Sequence, residues 1–156
     1  MPVQYAPIGH VRLEGDDHVI EIDAPFRQGL VALSDFNWII LVWHADQSPE
    51  LPSDKLAGPA PYKKAPERMG VFATRSPVRP NPVCVTVAAL TDADVETGIL
   101  RVGWIDCEPN SPILDIKPYQ PAADRVDSPN MPAWCASWPQ SIESSGDFDW
   151  ATIFNC

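Results

Sequence analysis

From Gly70 to Pro82 the chain reads G-V-F-A-T-R-S-P-V-R-P-N-P. The eight residues from Arg75 to Pro82 hold two guanidinium groups, the Ser76 hydroxyl, the Asn81 amide and three prolines. Arginine is a planar multiple donor that matches the oxygens of a carboxylate or phosphate. Proline lowers the freedom that such a loop loses when it takes up a ligand. The local charge points the same way. Between Ala60 and Pro82, five basic residues (Lys63, Lys64, Arg68, Arg75, Arg79) stand against Glu67 alone, a net of +4 in a chain whose total is −10. The competing reading is a solvated loop whose arginines pair with surface acids.

A second segment, Ser111 to Pro121, reads S-P-I-L-D-I-K-P-Y-Q-P. Asp115, Lys117 and Tyr119 alternate with Leu114, Ile116 and Pro118. In an extended chain this alternation turns the three polar groups to one face and packs the apolar ones inward. A carboxylate, an ammonium and a phenol on one face could bind a polar ligand and move a proton. A structural Asp–Lys pair on an edge strand explains the same pattern without chemistry.

These segments need a scaffold, and the prolines say where it is. Of 18 prolines, eight lie between Pro49 and Pro82 and seven between Pro109 and Pro139. The stretches from Phe26 to Ser48 and from Val83 to Glu108 have none. Proline is incompatible with helix interiors and central strands, so a mostly helical protein is excluded. The 45% hydrophobic content, with six tryptophans, excludes disorder. The patterning predicts a strand from Tyr5 to Arg12, a turn at Glu14–Asp17 and a partner strand from His18 to Asp23. A short helix is expected within Arg27–Phe36 and a buried strand over Asn37–His44. A long loop is expected from Asp46 to Pro66. A hairpin is expected from Val83–Leu90 and Ile99–Asp106, joined by Thr91–Gly98. The tail from Gln120 on, with Trp134, Trp138 and Trp150, is expected to wrap the body, its rings packing in the core or at a dimer interface.

The two chemical segments together resemble the TsaA-like, or TrmO, family. The resemblance rests on G-V-F-A-T-R-S-P-x-R-P-N-P at Gly70–Pro82 and on L-D-I-K-P-Y-x-P-x-x-D at Leu114–Asp124. The Ile8-Gly9 strand and the Gly29-Leu30…Phe36…His44 segment are also similar, so the likeness runs from about Tyr5 to Asp124. It implies a mainly β protein: a small single-domain antiparallel β-barrel with one or two short helices and two Pro-rich loops. It spans residues 1–124, with a tail, 125–156, packed on the barrel or on a dimer partner. It further implies a homodimeric methyltransferase that uses S-adenosylmethionine to methylate N6 of threonylcarbamoyladenosine in tRNA.

Carried over residue by residue, the resemblance makes Phe72, Arg75, Ser76, Arg79, Leu114, Asp115 and Lys117 candidates for holding the cofactor. His44 lines the same pocket or caps a strand end. Asn81, Asp115, Lys117 and Tyr119 are the candidates for orienting or deprotonating the methyl acceptor. The chain departs from the family in having Val83-Cys84-Val85 where I-G-L is usual, and Pro109-Asn110-Ser111-Pro112 where D-G-T-P is usual. Those changes lie beside the expected acceptor site. They leave a smaller, non-RNA acceptor and a non-catalytic cofactor-binding module as alternatives.

The overall charge of −10 opposes generic nucleic-acid binding, so a tRNA partner must rest on a local basic surface. Cys84, Cys107, Cys135 and Cys156 form no C-x-x-C pair, so free thiols rather than a metal site are expected. No signal segment opens the sequence, and the apolar run Trp38–Trp43 is too short to span a bilayer. A cytoplasmic protein without metal or membrane partner is the expectation.

Overall fold

The proline-free stretches supply the longest strand and one of the two seven-residue strands of the computed structural model, which describes residues 3–155; the other seven-residue strand has a proline at each end. Met1, where the reading for a signal segment begins, and Cys156 lie outside the described residues. Eight strands run in chain order: β1 (Gly9–Glu14), β2 (Asp17–Ile22), β3 (Trp38–His44), β4 (Ala57–Pro59), β5 (Arg68–Gly70), β6 (Val83–Asp94), β7 (Ile99–Val102) and β8 (Pro112–Pro118). Six of them close an antiparallel barrel in the order β1-β2-β7-β6-β3-β8. The chain divides into two compact units. The first holds the barrel and comprises residues 1–50 and 77–124; the second comprises 51–76 and 125–156.

Within the barrel, β3 shows why the sequence folds this way. Its apolar run W-I-I-L-V-W-H alternates in burial, with Ile39, Leu41 and Trp43 inside and Trp38, Ile40, Val42 and His44 half-exposed. Val11, Ile20, Leu100 and Ile113 reach the same interior from four other strands, and all are fully buried. A closed barrel leaves no open edge among its strands, so each barrel strand finds backbone partners on both sides. The closure joins β1 to β8 through Gly9 opposite Ile113 and His10 opposite Pro112. Gly9 is required there, because a Cβ at this position would run into the Glu21 carbonyl and the Ile22 Cα.

Five elements differ from expectation. The first strand begins at Gly9 rather than Tyr5, after Pro7, which has no N–H for a ladder. The helix expected in Arg27–Phe36 is two 3-10 turns, Ala24–Leu30 and Leu33–Asp35, separated by Ala32 at φ 65°. Pro25 starts the first turn well, but Gly29 and the left-handed Ala32 stop propagation into an α-helix. Strand β6 runs on to Asp94 past a bulge at Leu90–Asp92, with the Thr91 hydroxyl donating to the Arg101 carbonyl at 3.1 Å. Strand β7 ends at Val102 instead of continuing to Asp106. The loop expected from Asp46 to Pro66 contains a 3-10 turn and β4, which pairs with β5.

The second unit has its own apolar centre. Tyr62 stacks on Trp134 (centroids 5.5 Å apart, 19° between planes) and meets Trp138 and Phe154 at 5.2 and 5.6 Å. Trp138 in turn meets Trp134 and Trp150 edge to face, and Trp150 meets Phe148. The tail rings thus pack on one another and on Tyr62, beside the buried Cys135. Among the described residues no helix is long and apolar enough to cross a membrane.

Candidate functional site

Strand β8 carries the second motif into the barrel wall against β3. Asp115 lies opposite Val42 and Lys117 opposite Ile40, both outward-facing positions of β3. Tyr119 extends the same register past the strand end, its N–H donating to the Trp38 carbonyl at 3.0 Å. The three polar groups of the alternation therefore share one face, as expected. The apolar half of the pattern is corrected. The register shifts between Val42 and Trp43, so Trp43 pairs with Ile113 and Leu114 is the extra residue of a bulge. Ile113, rather than Leu114, fills the interior, and Leu114 stays half-exposed.

Lys117 Nζ donates to Asp115 Oδ2 at 2.6 Å, while Asp115 Oδ1 accepts the Ile116 N–H at 2.9 Å. The hydrogen bond to Asp115, and then its charge, hold the Lys117 ammonium above its usual pKa. Lys117 is therefore a fixed cation at neutral pH. Each oxygen of Asp115 faces a proton donor of its own. Both side chains stay open to solvent, Asp115 at 48% and Lys117 at 61% exposure.

Among the described residues, Asp115 is also the single charged one in the lining of a cleft of about 400 Å³. Its other walls are Ile116 and Pro118 from β8, Ile8 and Ile22, and the two 3-10 turns with Phe26, Leu33 and Phe36. Arg27 pins the first turn from outside the cleft. Its Nε donates to the Ile22 carbonyl at 3.1 Å and its Nη1 to the Glu96 carbonyl at 3.0 Å. The motifs did not expose these wall residues as a site, because apolar side chains from three separate segments carry no chemical signature. One structural signal is that Phe26, Val31 and Phe36, three large apolar side chains close together in the chain, all stay exposed.

His44 ends β3, two positions beyond Val42, and the next residue, Ala45, donates its N–H to the Pro82 carbonyl at 2.8 Å. That bond ties the Arg79–Pro82 end of the first motif to the His44 end of β3. Asn81 adds a turn of its own, its carbonyl accepting the Val83 N–H at 2.7 Å. The barrel thus holds His44, Arg79, Asn81, Leu114, Asp115, Lys117 and Tyr119. Phe72, Arg75 and Ser76 belong to the second unit. There, Val71–Ala73 forms a 3-10 turn anchored by Val71 N–H to the Leu56 carbonyl at 2.8 Å. The Thr74 hydroxyl donates to the Val71 carbonyl at 2.8 Å and accepts the Ser76 N–H at 3.3 Å. Phe72 is 71% exposed on this turn.

Cys84, Cys107 and Cys135 are thiols and form no disulfide. Burial, and then the charges of Asp106 and Glu108, push the Cys107 thiol up to about 12 from 9.0, so it is no nucleophile at neutral pH. Between about pH 9 and 12 the unfolded chain sheds this proton while the native one keeps it, so native stability falls as pH rises through that window. We expect Cys107→Ala to flatten the alkaline limb of the denaturation midpoint above about pH 8.5, where free thiols begin to ionise. A limb as steep as that of the parent would show that this thiol is not the group responsible.

The model of the tRNA-methyltransferase O N-terminal domain matches residues 3–125, which include both motifs. This chain belongs to that family. A probable S-adenosyl-L-methionine-binding protein of Pyrococcus horikoshii is 38% identical over 125 residues, 79% of this chain and 85% of its own length. The tRNA (adenine(37)-N6)-methyltransferase of Escherichia coli is 36% identical over 142 residues, 84% of this chain but 54% of its own length. Among solved structures, TrmO of Pseudomonas aeruginosa superposes with a TM-score of 0.64 at 28% identity, covering 84% of this chain and 61% of that one. The TrmO-type barrel expected from the motifs is the barrel found here, while the chain spans little more than half of the E. coli and P. aeruginosa proteins.

Proposed function

We propose that the protein is an S-adenosylmethionine-dependent methyltransferase that modifies N6 of threonylcarbamoyladenosine in tRNA. The carrying observation is the Asp115 carboxylate at the edge of an otherwise apolar cleft, inside a chain of the TrmO family. The donor set suits the cofactor: an apolar cleft with aromatic walls takes an adenosine, and a carboxylate takes a cationic neighbour. When bound, the cofactor supplies an electrophilic methyl group on sulfur. Phe26, Phe36 and Ile116 would give it apolar contact, and Asp115 would offset its positive charge. Leu114 and His44 lie on the same strand pair, and Arg79 is the barrel's candidate for a carboxylate ligand. Phe72, Arg75 and Ser76 remain candidates on the second unit.

For the acceptor, Asn81 and Tyr119 offer an amide and a phenol that can orient a base edge. The proton leaving the acceptor nitrogen needs an acceptor of its own. Lys117 is the weaker candidate for that task in this reading, because its pair with Asp115 favours its charged form. Asp115 is the group of the pair that can accept it, and Lys117 then offsets negative charge nearby. The rest is alignment of the acceptor with the methyl group, which is what an in-line displacement requires of a protein.

The active form in this reading is a cytoplasmic homodimer. Its support is an apolar outer barrel face, where Val83 and Val85 are 40% and 43% exposed beside the half-exposed Ile40 and Val42. The test is incubation with methyl-labelled S-adenosylmethionine and tRNA carrying threonylcarbamoyladenosine. Label is expected in the tRNA, and none when the tRNA is first digested. Transfer in an extract that survives removal of all RNA would identify a smaller acceptor instead. Cofactor binding with no transfer would make the protein a binding module.

A further inference from the structure

The charge of this chain is segregated. Residues 1–50 and 77–124 carry 15 acidic and five basic side chains, the whole net of −10, whereas the second unit holds six of each. Within the second unit the division repeats. Leu51–Ser76 has five basic residues against two acidic ones, and Arg125–Cys156 has one against four. Lys55, Lys63, Lys64 and Arg68 are all exposed, and among the described residues none of them has a carboxylate within ion-pair distance.

Lys63 and Lys64 sit on a turn that the tail builds. The Lys63 N–H donates to the Ile153 carbonyl at 2.7 Å, and the Asn155 N–H donates to the Pro61 carbonyl at 2.8 Å. Asn155 Nδ2 donates to the Ala60 carbonyl at 2.9 Å, and Tyr62 bridges to Phe154. The ring of Tyr62 is held among Trp134, Trp138 and Phe154. Lys64 adopts φ 64°, a left-handed conformation that a lysine takes up only when its surroundings fix it. An ordinary exposed lysine pair is not braced in this way. Here backbone bonds to the tail and the aromatic packing of Tyr62 fix the backbone that carries two adjacent exposed lysines, so part of the ordering cost is met on folding.

We infer that the Pro61–Pro66 turn is a docking point for the phosphate backbone of RNA, and that the Trp-rich tail exists to brace it. The inference rests on the reading of tRNA as substrate, and it identifies the surface by which an acidic protein meets a polyanion. Lysine is a point charge suited to phosphate without sequence preference, so this turn supplies affinity and orientation while the barrel supplies the chemistry.

The test uses the full chain and unmodified tRNA, with affinity read by fluorescence anisotropy between about 50 and 200 mM salt. Lys63→Gln with Lys64→Asn removes both charges, and asparagine tolerates the left-handed backbone. We expect about tenfold weaker binding at low salt and a salt-dependence slope reduced by about 2, one for each phosphate no longer neutralised. Arg12→Gln with Arg101→Gln removes the same charge from the barrel and should leave both values unchanged. Asn155→Ala, with both lysines intact, should weaken binding about two- to threefold, the loss of one bracing hydrogen bond.

Equal affinity and slope for the lysine variant and the parent would overturn the inference, as would a parent that binds no tRNA. Competition by polyglutamate as strong, charge for charge, as that by RNA would also overturn it in favour of an acidic protein partner. Because this measurement needs no methyl transfer, it separates failure of the turn from failure of the proposed reaction.

Discussion

Replacing Asp115 by asparagine lowers the affinity for S-adenosylmethionine by about 10- to 30-fold and slows methyl transfer at saturating cofactor by about 100-fold or more. The first figure follows from the loss of one charge-assisted interaction, about 1.5–3 kcal/mol, taken at its low end because the side chain is 48% exposed. The second is the ordinary contribution of a positioned general base. The fold is unaffected, because the amide oxygen still accepts the Ile116 N–H and no buried charge is left behind. Calorimetric titration, single-turnover transfer and thermal unfolding separate the three effects. Affinity within twofold of the parent would remove Asp115 from the cofactor site. A normal rate with weakened binding would remove it from proton transfer alone.

Gly9→Ala destabilises the barrel by about 3 kcal/mol, the upper range for overpacking, because the added methyl meets backbone rather than a movable side chain. For a chain of this length that lowers the melting temperature by roughly 6–12 °C. The damage is specific in location. Gly9 pairs with Ile22 on one side and Ile113 on the other, so the methyl pushes on the seam that closes the cylinder and on the start of β8. A melting temperature within about 1 °C of the parent would mean that β1 does not run in this register.

The contrast between these two positions shows what the sequence makes legible. The Asp115–Lys117 pair and its companion Tyr119 could be read from alternation alone, because strand geometry turns every second residue to one face. The buried strand at Trp38–His44 could be read because six apolar residues stand in a stretch free of proline. The role of Leu114 could not, since the bulge that turns it outward is set by how β8 meets β3, a pairing across about 70 positions. The wall of the cleft was hidden for a similar reason. Phe26, Phe36 and Ile116 are ordinary apolar residues until the chain is folded. Strands β4 and β5 were hidden by length: three residues each, with Gly and Pro, read as loop. The total charge concealed its own division, because a sum over the chain averages an acidic barrel with a neutral second unit.

The second unit is discontinuous, and this has a consequence for how the protein is made. Synthesis delivers Leu51–Ser76 first and Arg125 onward only after the 48 residues from 77 to 124, an interval of roughly 2–10 s at ordinary translation rates. During that interval the nascent segment carries Tyr62, Leu56 and Phe72 with the tail that will meet Tyr62 not yet made. A segment left waiting with open apolar and strand-forming residues invites association between growing chains. Pro52, Pro59, Pro61 and Pro66 interrupt it at short intervals, and its five basic side chains repel those of neighbouring chains. The prolines of this segment thus guard the unfinished chain against aggregation until its C-terminal partner arrives.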